Sequence, residues 1–141
     1  MKKTEFTQRW VTNILASINS HISEETKVIL MESCGRACAK AEAVNAVDNC
    51  NGDYQQFQSI LCKWLGKDNV WRKGNTVHLV YSKCYCRLQA DIPDKLSKIY
   101  CQCSCGWLKE VFETALKKQV KVDLKSSIRQ GAQQCTFKVC V

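Results

Sequence analysis

Eleven of the 141 residues are cysteine, and seven of these stand in tight groups: Cys34 with Cys38, Cys84 with Cys86, and Cys101 with Cys103 and Cys105. Cys135 and Cys140 follow near the end. Thiols at this density serve as metal ligands, as nucleophiles, or as compact buried hydrophobes, and spacing helps to separate those roles. A thiolate is a soft donor suited to zinc or another thiophilic metal. If Cys84–Cys86 and Cys101–Cys103 belonged to neighbouring antiparallel strands, a symmetrical hairpin would set Cys84 opposite Cys103 and Cys86 opposite Cys101. All four sulfurs would then share one face. Strand residues two apart are separated by about 6.5–7 Å, too far for four such thiols to close around zinc at about 2.3 Å without strain. A better metal site takes strand thiols and adds Cys34 and Cys38, one turn apart on a helix. The expected ligands are therefore Cys34, Cys38, Cys101, Cys103 and Cys105, facing one another across a helix–sheet interface.

Cys105 also has a separate reading. It precedes Gly106 and a helix expected from Trp107, whose free amides would favour a thiolate and make Cys105 the nucleophile. Ser104 could instead simply cap that helix. A cysteine hydrolase would also need a base, and the chain has two histidines, His21 and His78. On a strand, His78 would stand roughly 20 Å from Cys84. No GxSxG, HExxH, Walker or dinucleotide-binding glycine pattern is present. Aromatic residues offer a binding surface: Trp64, Tyr81 and Trp107 lead a set that could line an apolar pocket for a small apolar or sulfur-containing ligand. At helical spacing such residues also serve as plain core.

The elements that must hold these groups follow from periodicity. Phe6, Trp10, Ile14 and Ile18, with Val11 and Leu15, predict a helix with a broad apolar face. Ser23 predicts the cap of a second helix, whose buried stripe carries Leu30, Cys34, Ala37, Cys38, Ala41 and Val44. Gly35 inside that helix costs about 1 kcal/mol relative to alanine, which makes sense if another backbone packs closely there. DNCNGD (48–53) predicts a loop, and Tyr54, Phe57, Leu61 and Trp64 a third helix ending near Gly66. A strand is expected from Asn75 towards Leu88, a connection at Ile92-Pro93-Asp94, and a second strand over Ser97–Ser104. A helix carrying Trp107 to Leu116 follows, then a strand over Val120–Leu124. After the turn at Gly131 comes a last strand with Cys135, Phe137, Val139 and Val141 on one face. Helices first, then strands with one inserted helix, predict an α+β fold, with N-terminal helices packed on a mainly antiparallel sheet.

Length suits a single cysteine-rich domain over residues 1–141, with 45% hydrophobic residues to build its core. One proline and six glycines argue against long linkers. The net charge of +8, with Lys117, Lys118, Lys121, Lys125 and Arg129 clustered, comes without a nucleic-acid motif. It therefore reads as a solvated surface rather than a phosphate-binding patch. The N-terminal stretch has two lysines, but Glu5, Gln8, Arg9 and Asn13 interrupt the apolar run an export signal needs. No run reaches the roughly 18 apolar residues of a membrane helix. The expectation is a cytoplasmic protein that works without a membrane, its thiols reduced and its odd cysteine count unsuited to full pairing.

The second half resembles the 4-vinyl-reductase-like small-molecule-binding domains, whose fold is similar to haem-NO-binding domains and transport-particle subunits. The residues that carry the likeness are CQCSCGW (101–107), the helix after it, the Val120–Leu124 strand, and Gly131 to Phe137 with its Cys-x-Phe. ESCGRACA (32–39) also looks like bacterial proteins related to aminothiazoline-carboxylate hydrolases. The likeness covers Gly74 to Val141 well and the N-terminal helices loosely. It implies a ligand-binding α/β domain in which Cys101, Cys105 and Cys135 could hold a metal. Three functions are therefore expected to compete. The first is a small-molecule-binding domain with a thiol-lined, metal-capable site. The second is a cysteine-dependent hydrolase of a cyclic thio-amide such as an aminothiazoline carboxylate, or a thiol redox protein. The third is an interaction subunit. A homodimer is left open.

Overall fold

The computed structural model describes residues 1–86 and 96–141, and within them the α+β architecture is present. The expected connection at Ile92-Pro93-Asp94 and the end of the strand at Leu88 lie outside the described residues. Helices α1 (Lys3–His21) and α2 (Glu24–Glu42) form an N-terminal pair. Ser23 caps α2 as its hydroxyl suggests, accepting the Thr26 amide at 3.3 Å. A short α3 (Val44–Val47) and a 3-10 turn lead to α4 (Tyr54–Leu65), which Asp53 caps through the Gln56 amide and Gly66 ends at a φ of 97°. Among the described residues no helix is long and apolar enough to cross a membrane.

Four antiparallel strands, β1 (Val70–Lys73), β2 (Thr76–Tyr81), β3 (Lys121–Ser126) and β4 (Cys135–Cys140), lie in the order β1-β2-β4-β3. Strand β1 is not in the sequence expectation. Its signal is the Gly74-Asn75 pair, which closes a two-residue hairpin between Lys73 and Thr76 with Gly74 at a φ of 61°. Across the sheet Leu79 pairs with Phe137, and Phe137 with Leu124. Cys135, Phe137 and Val139 are buried on the inner face, as their alternation predicts.

Between β2 and β3 stand α5 (Ser97–Tyr100) and α6 (Gln102–Leu116). The strand expected over Ser97–Ser104 is therefore corrected to helix. Cys101, Cys103 and Cys105 alternate as in a strand, but Cys101, Cys105, Leu108, Phe112 and Ala115 are also spaced by three and four, a helical stripe that runs on into the core. The longer pattern wins because α6 buries Leu108, Val111, Phe112 and Ala115 against the sheet, with Phe112 edge-on to Phe57 of α4 at 4.8 Å.

The second correction concerns α2. Its buried stripe is Lys27, Met31, Gly35 and Ala39, one position away from the expected one, so Cys34 and Cys38 are exposed. The reason is the approach of α6. A Cβ on Gly35 would stand 2.7 Å from the Trp107 amide nitrogen and nearer still to the Cys103 carbonyl oxygen. One on Gly106 would meet the Glu32 carbonyl carbon at 2.5 Å. The close packing that Gly35 suggested is thus a reciprocal contact of two glycines, backbone against backbone. Arg36 then bonds Glu110 at 2.8 Å and Glu113 at 2.9 Å, and Lys109 bonds Glu32 at 2.7 Å, across the same seam.

Helix α1 stands apart from this core. Leu15, with Val11 and Ile18, packs into a small separate cluster with Met31, Leu96 and Ile99. Phe6, Trp10 and Ile14 of its broad apolar face remain 52%, 56% and 37% exposed.

Candidate functional site

Helical rather than extended backbone at Cys101–Cys105 redistributes the sulfur atoms. Residues two apart on a helix point about 200° away from each other, whereas those four apart nearly align. Cys101 and Cys105 consequently face β3 and β4, and Cys103 faces α2. The expected single convergence of thiols becomes two groups on opposite sides of α6.

On the sheet side, Cys101 Sγ shares a 3.2 Å hydrogen bond with Ser127 Oγ, and Cys135 Sγ accepts the Ile128 amide at 3.3 Å. Cys105 is 1% exposed and hydrogen-bonds the Leu124 backbone. Burial pushes the Cys105 thiol up to about 12, with the Glu32 carboxylate adding to the effect and Lys109 opposing it. Burial likewise raises Cys101, against the help of the Ser127 hydrogen bond, while Cys135 adds to the rise. Tyr81 is raised first by burial and then by Cys105 and Cys135. Cys101, Cys105 and Cys135, which the family resemblance brings forward, thus do lie in one neighbourhood. Each of the three sulfurs there has a hydrogen-bond partner, and burial raises Cys101 and Cys105.

Burial opposes the expected activation of Cys105 by a helix N-terminus. The helix begins at Gln102, so Cys105 sits in its first full turn against the sheet, and burial outweighs the dipole. Neither histidine supplies a base there. His21 Nδ1 contacts the Ser17 carbonyl at the end of α1. His78 stacks on Trp71 at 5.2 Å, in register with Lys138 and out of phase with the inward Val77 and Leu79.

On the helix side the thiols are accessible. Cys34 and Cys38 lie one turn apart on α2 and are exposed, and Cys103 is half-buried beside them. Burial drives Cys103 up to about 12, and the nearby Cys38, Cys34, Cys86 and Cys101 add to that rise in this order. Cys86 is hydrogen-bonded to Tyr100 Oη, whose ionisation is suppressed by burial and by that thiol. Tyr100 is the site member the sequence reading did not single out, and Cys86, paired there with Cys84, was left out of the expected ligands. For Cys86 the signal was its position in a Cys-x-Cys pair just past a strand. Among the described residues no three Cys, His, Asp or Glu side chains already converge in a metal-holding arrangement, so a metal would have to draw the exposed thiols inward.

A model described as a family of unknown function, DUF6144, matches residues 1–141. The chain belongs to DUF6144. No curated protein matches it.

The aromatic residues of this DUF6144 chain are divided by α6 as its thiols are. Trp107 lies edge-on to Trp64 at 5.9 Å and donates Nε1–H to Glu42 at 3.1 Å. Tyr81 packs instead on Phe137 at 4.8 Å and on Tyr85 at 5.1 Å, on the sheet side. The structure brings Trp64 and Trp107 together and leaves Tyr81 elsewhere. The interface between α6 and the sheet is filled by Leu79, Leu108, Phe112 and Phe137, each at most 2% exposed.

Proposed function

We propose that this DUF6144 protein is a thiol-based binding domain of a reducing compartment such as the cytoplasm. Its ligand is thiophilic, a soft metal ion such as zinc or a small molecule held through sulfur. The receiving group is Cys34, Cys38 and Cys103, with Cys86 beside them. One observation carries the reading: a half-buried thiol, Cys103, flanked by thiols from two other segments, two of them exposed on α2. Protonated, such a group is neutral and inert. A soft cation supplies the missing charge, displaces the thiol protons and converts crowding into coordination. Cys34 and Cys38 can reach inward because solvent, not packing, surrounds them. Sulfur chemistry of this kind also agrees with what the likeness to small-molecule-binding domains implies. The hydrolase alternative has less support, because Cys105 is buried and both histidines are engaged elsewhere.

Titration of anaerobically purified protein with Cd²⁺ tests this. A thiolate-to-metal absorption band should rise and saturate at about one equivalent, with proton release, as a site of three or four sulfurs requires. Cys103→Ser and the double variant Cys34→Ser/Cys38→Ser should each abolish it, and Cys135→Ser should leave it intact. Absence of the band in the folded wild-type protein, or its persistence in both helix-side variants, would overturn the assignment.

A further inference from the structure

We propose that α1 is a self-association surface, pairing antiparallel with α1 of a second copy about a two-fold axis. Phe6, Trp10 and Ile14 recur every four residues and stay 52%, 56% and 37% exposed, beside the adjacent face whose Val11, Leu15 and Ile18 hold the helix to the body. An open groove of about 410 Å³ runs beside them from Trp10 to Ile22. It is shallow and apolar, the shape a ridge of side chains from another helix fills.

Charge decides what fills it. Lys2 and Lys3 stand at one end of the α1 stripe, Glu24 and Glu25 just past the other, and residues 10–20 carry no charged side chain. A two-fold axis between Trp10 and Ile14 sets Trp10 of one copy beside Ile14 of the other, and Phe6 beside Ile18. It also brings each basic end to the other copy's acidic end and opposes the two helix dipoles. Parallel pairing would stack like charges. An anionic lipid surface is the other partner that an apolar face on a chain of net charge +8 suggests, but it gives Glu25 no partner, whereas the two-fold pair does. Glu24 is paired with Lys27 at 2.6 Å and also faces Lys98, which leaves Glu25 as the acidic partner in this scheme.

Size sets the strength. Two half-open aromatic rings and one isoleucine offer roughly 250–300 Å² of apolar surface per copy, against about 800 Å² per partner in a standard interface. The dimer is therefore reversible and concentration-dependent.

Sedimentation equilibrium of the full chain from about 1 to 500 μM is the test. Wild-type protein should shift from monomer to dimer across that range. Trp10→Glu, which adds a charge at an exposed position, should stay monomeric throughout while keeping its helical circular dichroism. Lys2→Glu/Lys3→Glu and Glu25→Lys should each weaken self-association at least about tenfold when alone, and associate with each other when mixed, since their charges then match at both ends of the pair. Wild-type protein that remains monomeric, dimers indifferent to Trp10→Glu, or mixed variants that fail to associate would each overturn the proposal. Binding of monomer to phosphatidylserine vesicles without dimerisation would assign the face to lipid instead and also overturn it.

Discussion

Cys103 and Cys105 are separated by one residue on the same helix, yet they occupy opposite environments. Toward the sheet, Cys105 joins Leu108 and Phe112 in the main core, and its neighbours Cys101 and Cys135 are hydrogen-bonded to Ser127 and to the Ile128 amide. Toward α2, Cys103 meets a helix whose own cysteines are open to solvent. The difference teaches that cysteine density alone does not define a site. Backbone geometry sorts the thiols into those packed in the core and those open to solvent. Two glycines enforce the sorting, because the Gly35–Gly106 contact lets α2 approach closely enough for Cys34 and Cys38 to flank Cys103.

Breaking that contact should have the largest effect. Gly35→Ala places a methyl group into the Cys103 carbonyl and the Trp107 amide, where only backbone movement can relieve it. A loss of at least about 3 kcal/mol is expected from denaturant unfolding, the range of severe overpacking. Cadmium binding should fall with it. An unchanged midpoint would show that the two helices are not as close as described.

Alkaline pH sharpens the contrast next. The Cys105 thiol is raised from 9.0 to about 12 in the folded protein, so above pH 9 the unfolded chain holds fewer protons than the native one. Its contribution to stability is complete below about pH 9 and is lost as pH rises towards 12, at roughly 1 kcal/mol per pH unit. Cys105→Ala should flatten this slope by the share of that one thiol, while Cys103, raised as far on the other side of α6, keeps its own. Equal slopes in wild type and Cys105→Ala would show that Cys105 is not buried as described.

The smallest effect belongs to the charged seam. Burial works to raise the Glu113 carboxyl, but the hydrogen bond and charge of Arg36 hold it below the ordinary carboxylate range. Its contribution is present above pH 4.5 and is lost as pH falls through the lower folded value. Because the pair is partly open to solvent, Glu113→Gln should cost only about 1 kcal/mol near neutral pH, with the difference shrinking in acid.

Much of this arrangement is legible in the chain. Helices α1, α2 and α4 follow from apolar residues spaced by four, Ser23 caps as its hydroxyl suggests, and the Cys135–Val139 alternation gives the inner face of β4. The failures have physical causes. Cys101, Cys103 and Cys105 satisfy a period of two and, with Leu108 and Phe112, also a period near 3.6. Tertiary burial chose the second. Cys34 and Cys38 were expected on the buried stripe because they keep helical spacing with Leu30, Ala37 and Ala41, but the true stripe contains Gly35 and Ala39, small enough for α6 to come close. Strand β1 was missed because Val70–Lys73 is short and mostly exposed, leaving the Gly74-Asn75 turn as its main signal. Of the aromatic set Trp64, Tyr81 and Trp107, the first and last meet while Tyr81 packs on Phe137 against the sheet, a division that spacing along the chain does not show.

Site-resolved alkylation decides whether α6 separates the exposed thiols of α2 from those buried against the sheet. Native protein would be treated with iodoacetamide at pH 7.5 under reducing conditions, and the labelling rate of each cysteine followed by peptide mass spectrometry. Cys34 and Cys38 should react at least about 100-fold faster than the buried Cys105 and Cys135, with half-buried Cys101 and Cys103 between them and all equalised on unfolding. Labelling of Cys105 as fast as that of Cys34 in the folded protein would contradict the account.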